Sequence, residues 1–146
     1  MEHVGATDLD AYRPASPTEA RNVSFALVDW IAEQHALGLG HGDLKAGNLR
    51  IALEGDTPRF HLVDLNDLTG PSQLHEADRI AALTQLNAAL DETQFEASLR
   101  TQALARYAER LPFSEPLDSV LRTLALSSVD RQHRWQGLDC DCVNSV

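Results

Sequence analysis

One short segment restricts the possible folds of this chain more than any other: His41-Gly42-Asp43-Leu44-Lys45-Ala46-Gly47-Asn48. It sets an acid, a cation and an amide at fixed short offsets, directly after a helical pattern that stops at Gly38 and Gly40. Groups that must act together from a glycine-containing loop have to be aimed by the elements on either side. Upstream, Ser16-Pro17-Thr18-Glu19 reads as a capping box with proline at the first helical position, so a helix is predicted to begin there. Val23, Leu27, Trp30 and Ile31 recur at helical spacing along it, and Trp30 and His35 read as core and helix-end residues rather than ligands.

Downstream, Leu49 to Leu53 and Arg59 to Asp64 read as strands, separated by Glu54-Gly55-Asp56-Thr57-Pro58, whose glycine, aspartate and proline favour a turn. The hairpin returns the chain so that Asn48, where the first strand begins, and Asp64, where the second ends, come near one another. Asp64, Asn66 and Asp67 alternatively form only a polar turn. Leu74, Ala77, Ile80, Leu83, Leu86 and Leu90 trace the stripe of a second helix. Asp91-Glu92-Thr93-Gln94 offers a cap for a third, carrying Phe95, Leu99, Ala103, Tyr107 and Leu111, which ends at Leu111-Pro112. Ser114-Glu115-Pro116 caps a last helix with Leu117, Val120, Leu121 and Leu124 on one face. The expected class is α+β, mostly α-helical.

The 146 residues suffice for one domain with a proper core. Twelve basic against 22 acidic residues leave a net charge of -10, which argues against nucleic-acid binding, where a basic patch would neutralise phosphates. The N-terminus has neither a basic n-region nor an apolar h-region, and no run approaches membrane-spanning length, so a cytoplasmic protein is expected. Cys140 and Cys142 are too few and too close for a disulfide framework; they read as part of a frayed terminus or, with further ligands, a metal-binding tail. Arg131-Gln132-His133-Arg134-Trp135 suits a basic helix end or contact with an anionic headgroup.

The segment His41 to Asn48 resembles the catalytic loop of the protein-kinase-like superfamily, H-x-D-x-K-x-x-N. The resemblance implies Asp43 as the base accepting the proton of the attacking hydroxyl, Lys45 steadying the transferred phosphoryl group, and Asn48 holding a metal ion. Asp64, after Arg59-Phe60-His61-Leu62-Val63, stands where the family places the aspartate of the metal bridging the phosphates, with Leu65-Asn66 replacing the commoner Phe-Gly. His41 would brace the loop. Asp78 resembles the buried aspartate that takes amide hydrogen bonds from that loop, and fits equally an acid on the solvated first turn of a helix. Met1 to Leu9 resembles the hinge whose backbone meets adenine, through Glu2 and Val4, or is an unstructured arm.

The match implies a kinase-like C-terminal lobe over residues 16–138, a hinge-like segment over 1–15 and a flexible tail over 139–146. The cofactors implied are ATP and Mg2+. Thirteen residues, 65 to 77, separate Asp64 from Asp78, too few for a long phosphorylation-ordered activation segment. The wording of the loop, of Val63-Asp64-Leu65-Asn66 and of Ala77-Asp78-Arg79-Ile80 is similar to the bacterial lipopolysaccharide kinases that phosphorylate Kdo or heptose. That implies a sugar hydroxyl as acceptor, with a protein Ser or Thr as the other option, and peripheral contact with a membrane-borne substrate. The glycine-rich loop, strand lysine and partner glutamate of the small lobe have no counterpart here. Turnover is therefore expected to need a chain bearing that lobe; otherwise the lobe serves as a binding or regulatory module, with a partner or self-association covering its apolar surface.

Overall fold

The computed structural model describes residues 7–41, 44, 48–55, 57–63, 68–69, 74–90 and 94–130. In chain order these form β1 (Thr7–Asp8), a 3-10 turn (Leu9–Ala11), α1 (Pro17–Ala36), β2 (Gly40–His41), β3 (Leu49–Glu54), β4 (Thr57–Leu62), β5 (Leu68–Thr69), α2 (Glu76–Ala89), α3 (Ala97–Arg110) and α4 (Leu117–Asp130). The class is α+β and mostly helical, as expected. An antiparallel sheet of order β1-β3-β4 packs on α1, and β2 and β5 pair separately.

Local chemistry sets both ends of α1. Ser16 Oγ accepts the Glu19 amide at 3.1 Å. The reciprocal half of the box is displaced by one residue, because the Glu19 carboxylate takes the Ala15 amide at 3.0 Å and the Tyr12 hydroxyl at 2.5 Å. At the other end Gly38 has φ +80°, Leu39 N–H donates to Gln34 O and Gly38 N–H to His35 O, the pair of bonds that closes a helix through a left-handed residue. A side chain at Gly38 would oppose that turn, which directs the chain into β2.

The hairpin runs in the register Leu49↔Leu62 to Glu54↔Thr57, turning at Gly55 with φ +65°. Each strand starts or ends one or two residues from the predicted bounds, and Pro58 lies within β4, which is tolerated because β4 is at the sheet edge. Phe60 faces inward and packs on Trp30 at 5.9 Å between ring centroids. The N-terminal segment is more than a linker where it is described. Thr7 and Asp8 pair with Ile51 and Arg50, Leu9 is fully buried, and the Gln94 side-chain amide donates to Leu9 O and Tyr12 O at 2.7 and 2.8 Å.

The helices pack around Val23, Leu27, Ile31, Leu83, Leu86 and Tyr107. Between α1 and α3 the Asp29 carboxylate takes a bidentate pair of bonds from Arg106 at 2.8 and 2.9 Å and a third contact from Arg110 at 2.7 Å. The face of α2 differs from the predicted stripe. Ala77 is exposed, whereas Arg79 and Asn87 are buried among apolar neighbours. Each is hydrogen-bonded. Arg100 on α3 donates to Asn87 O and Oδ1 and to Leu90 O, at 2.8 to 2.9 Å, closing the C-terminus of α2.

Arg79 crosses to the far end of α3. Its Nε donates to the Tyr107 hydroxyl at 3.0 Å, its terminal nitrogens to the carbonyls of Leu111 and Pro112, and its guanidinium lies over the Phe113 ring at 4.5 Å. Tyr107, with no exposed surface, also meets His35 Nδ1 at 2.7 Å. Arginine only donates, so the tyrosine oxygen accepts from Arg79, and it shares a second hydrogen bond with His35 Nδ1 whose direction follows the imidazole tautomer. Burial, reinforced by the Arg79 charge, depresses His35 from its ordinary 6.5 to about 4. Burial pushes the Tyr107 hydroxyl up, against the opposing influence of Arg79.

A histidine held neutral when folded contributes stability that is complete above about pH 6.5 and is lost as the pH falls towards 4. A gap of this size corresponds to about 3 kcal/mol. Urea unfolding at pH 7 and pH 4.5 is expected to show the parent losing most of that amount relative to His35→Gln, which keeps an acceptor for Tyr107 but does not titrate in this range. Equal losses in the two proteins would remove His35 as the source.

Candidate functional site

Strand pairing brings the two sequence motifs together. The first runs from β2 to β3 and the second from β4 to β5. Gly40 and His41 pair with Thr69 and Leu68, and Leu49 pairs with Leu62. Both segments thus start and finish on shared ladders, although 16 residues, 48 to 63, separate Lys45-Ala46-Gly47 from Asp64 in sequence. The Val63 amide donates to the Asn48 carbonyl at 3.1 Å, continuing the contact one step beyond the hairpin ladder. Connectivity and register therefore converge on one end of the small sheets, beneath the C-terminus of α1.

The residues expected to act there are placed unequally. Asp43, Lys45 and Asp64 lie outside the described residues, as do Glu2 and Val4 of the hinge-like segment. Cys140, Cys142 and the stretch from Arg131 to Trp135 lie outside them too. His41 is described through its backbone, which pairs with Leu68. Asn48 is half-buried where β3 begins. Among the described residues no group of three or more His, Cys, Asp or Glu side chains forms a metal cluster.

Of the two roles open to Asp78, the structure favours the helix end. Its side chain is exposed on the first turn of α2, and its carboxylate accepts the His75 amide at 3.3 Å. Asp78 is turned outward where α2 turns Arg79 inward. A loop amide is instead taken two turns further along the helix, where Gln85 Oε1 accepts from Leu44 N–H at 2.8 Å. Leu44 itself is 4% exposed. Nothing in the sequence singled out Gln85; the available signal was its seven-residue offset from Asp78, which returns to a similar face of a helix.

Beside the site, Leu44 lines a small apolar recess with Trp30, Ile31, Leu39 and Leu62. Val63, which leads into the second motif, and Leu37, at the end of α1, are large apolar side chains that stay exposed, at 48% and 63%. A separate cavity of about 80 Å³ lies among the four helices, lined by Leu27, Leu83, Leu86, Phe95, Leu104 and Leu124 among others.

No family model and no curated protein sequence matches the chain. The solved structure of WaaP in complex with acyl carrier protein is similar, with a TM-score of 0.69 and 19% sequence identity over 90% of this chain. The chain spans 58% of the length of that WaaP chain. The shared fold is kinase-like, in agreement with the class read from the loop wording.

If Asp78 serves α2 as a cap, Asp78→Ala lowers stability by about 0.5 to 1 kcal/mol, the usual worth of an N-terminal cap. Urea unfolding measures this. The Leu44 amide should keep its wild-type NMR shift in the same variant, whereas a large shift there would restore Asp78 to the loop.

Proposed function

We propose that this chain is the large lobe of an ATP-dependent phosphotransferase that acts on a hydroxyl group, with a lipopolysaccharide core sugar as the favoured acceptor. The observation that carries the reading is the double pairing of β2 with β5 and of β3 with β4, which joins described residues flanking the stretches that carry Asp43 and Asp64 in sequence. Phosphoryl transfer needs little covalent chemistry from the protein; it needs a base, a positioned metal and neutralised charge. In this reading Asp43 accepts the proton of the acceptor hydroxyl and Lys45 steadies the moving phosphoryl group. Asn48 and Asp64 hold magnesium against the phosphates, and His41 braces the loop. A kinase-like fold supports the assignment, and the similarity in loop wording to Kdo and heptose kinases supports the sugar acceptor. A small lobe supplied by further sequence or by a second chain would complete the nucleotide site, and exposed Val63 and Leu37 are surfaces it would cover.

A second reading, a binding module without turnover, draws on a different observation. The interhelical cavity is lined almost wholly by apolar side chains, and WaaP was solved with an acyl carrier protein. Its volume of about 80 Å³ is roughly half that of an engineered 150 Å³ cavity that admits benzene. As it stands it takes a few carbons, and a longer acyl chain would have to part the helices.

Calorimetric titration with ATP in the presence of magnesium, with Asp64→Ala as control, separates the two readings. Saturable, magnesium-dependent binding that Asp64→Ala weakens by about tenfold or more supports the phosphotransferase. Binding that ignores both magnesium and Asp64 would sink it. Tight binding of an acylated carrier protein, with no nucleotide binding, favours the module.

A further inference from the structure

We infer that Gln85 is the positioning residue of the loop, holding the backbone between the base and the phosphate-steadying lysine; the role rests on the phosphotransferase reading above. Leu44 stands between Asp43 and Lys45 in the chain, one peptide from each. Trans peptides fix neighbouring Cα atoms about 3.8 Å apart, so whatever pins residue 44 limits where both neighbours go.

Residue 44 is pinned from two sides. Its side chain is buried against Trp30, Ile31 and Leu39, which belong to α1 and the turn after it, and against Leu62 of β4. Its amide proton goes the opposite way, to Gln85 Oε1 on α2 at 2.8 Å. An apolar anchor alone leaves the peptide free to rotate about the side chain. A directed N–H bond to α2 opposes that rotation.

The helix that supplies Gln85 is itself held. Arg79 ties the first turns of α2 to Tyr107 and to the carbonyls after α3, and Arg100 closes its last turn. Gln85 lies between these two anchors, so its amide is presented from a fixed element. Catalytic geometry is sensitive to displacements of about 1 Å, each able to cost about a hundredfold in rate, which makes a single loop-fixing bond consequential.

Two measurements on the full chain test the inference. Amide hydrogen exchange at Leu44, read by NMR, follows the contact; phosphotransfer from ATP follows its use. Gln85→Met preserves length and helix propensity but lacks the carbonyl oxygen, and Gln85→Glu restores an oxygen acceptor. Leu44 should exchange about tenfold faster or more in Gln85→Met, equivalent to about 1.4 kcal/mol, while α2 amides keep their protection and Gln85→Glu returns Leu44 to the parent rate. In the same variant kcat should fall by about tenfold or more with KM for ATP held within about twofold, and Gln85→Glu should recover it. Unchanged Leu44 exchange overturns the contact. Unchanged kcat in Gln85→Met, alongside an inactive Asp43→Asn, overturns the positioning role and leaves the phosphotransferase reading standing. A parent protein with no phosphotransfer at all, even with a supplied small lobe, removes that reading and the role together.

Discussion

The buried hydroxyl of Tyr107 is the interaction on which the arrangement of helices depends. It accepts a hydrogen bond from Arg79 on α2 and shares another with His35 on α1, while its backbone belongs to α3. Three helices therefore meet at one oxygen. A cation so far from water is tolerated because each of its three nitrogens donates, to the phenol or to the carbonyls of Leu111 and Pro112, with the guanidinium over the Phe113 ring. The cost of breaking any one of these contacts is the unsatisfied group left behind rather than the bond itself. Because His35 stands in the last turn of α1 and Arg79 in the first turn of α2, the node also fixes the two helix ends that flank the loop and the segment leading from β5.

That placement explains why the candidate site sits where it does. The Gly38 turn releases the chain into β2, β5 receives it, and the hairpin carries Asn48 and Val63 back to the same end. Short ladders suffice for this. Neither β2 nor β5 exceeds two residues, and a pair of strands this short is marginal without packing around it. The pinned Leu44 is the point where the helical layer, the hairpin and the loop touch.

Much of this was legible in the sequence where one residue type has one physical use. Ser16 with Pro17 announced α1, Gly38 its end, and Gly55 with Pro58 the hairpin; Val23, Leu27 and Ile31 marked the buried face correctly. Reading failed where polar side chains go inside. Arg79, Asn87 and Gln94 are buried, and a pattern argument that sends charge and amide to solvent rotates α2 by about a residue and takes Gln94 for a cap. Their partners are 13 to 85 positions away, a guanidinium, a phenol and carbonyls that no local pattern connects. The loop is a mixed case: its wording was informative, but the residue that steadies it, Gln85, lies on another element and was silent.

Pro58 has a consequence outside the site altogether. It occupies β4, the outer strand of the three-stranded sheet, in register with Leu53. An edge strand normally offers a row of amide donors to any extended chain that drifts alongside, which is how folded proteins begin to aggregate. Proline removes one donor from that row, and the exposed Arg59 and His61 on either side of Phe60 place polar bulk along it. The hairpin that delivers Val63 to the loop is thereby discouraged from recruiting a stranger's strand, so solubility and site geometry are secured by the same six residues.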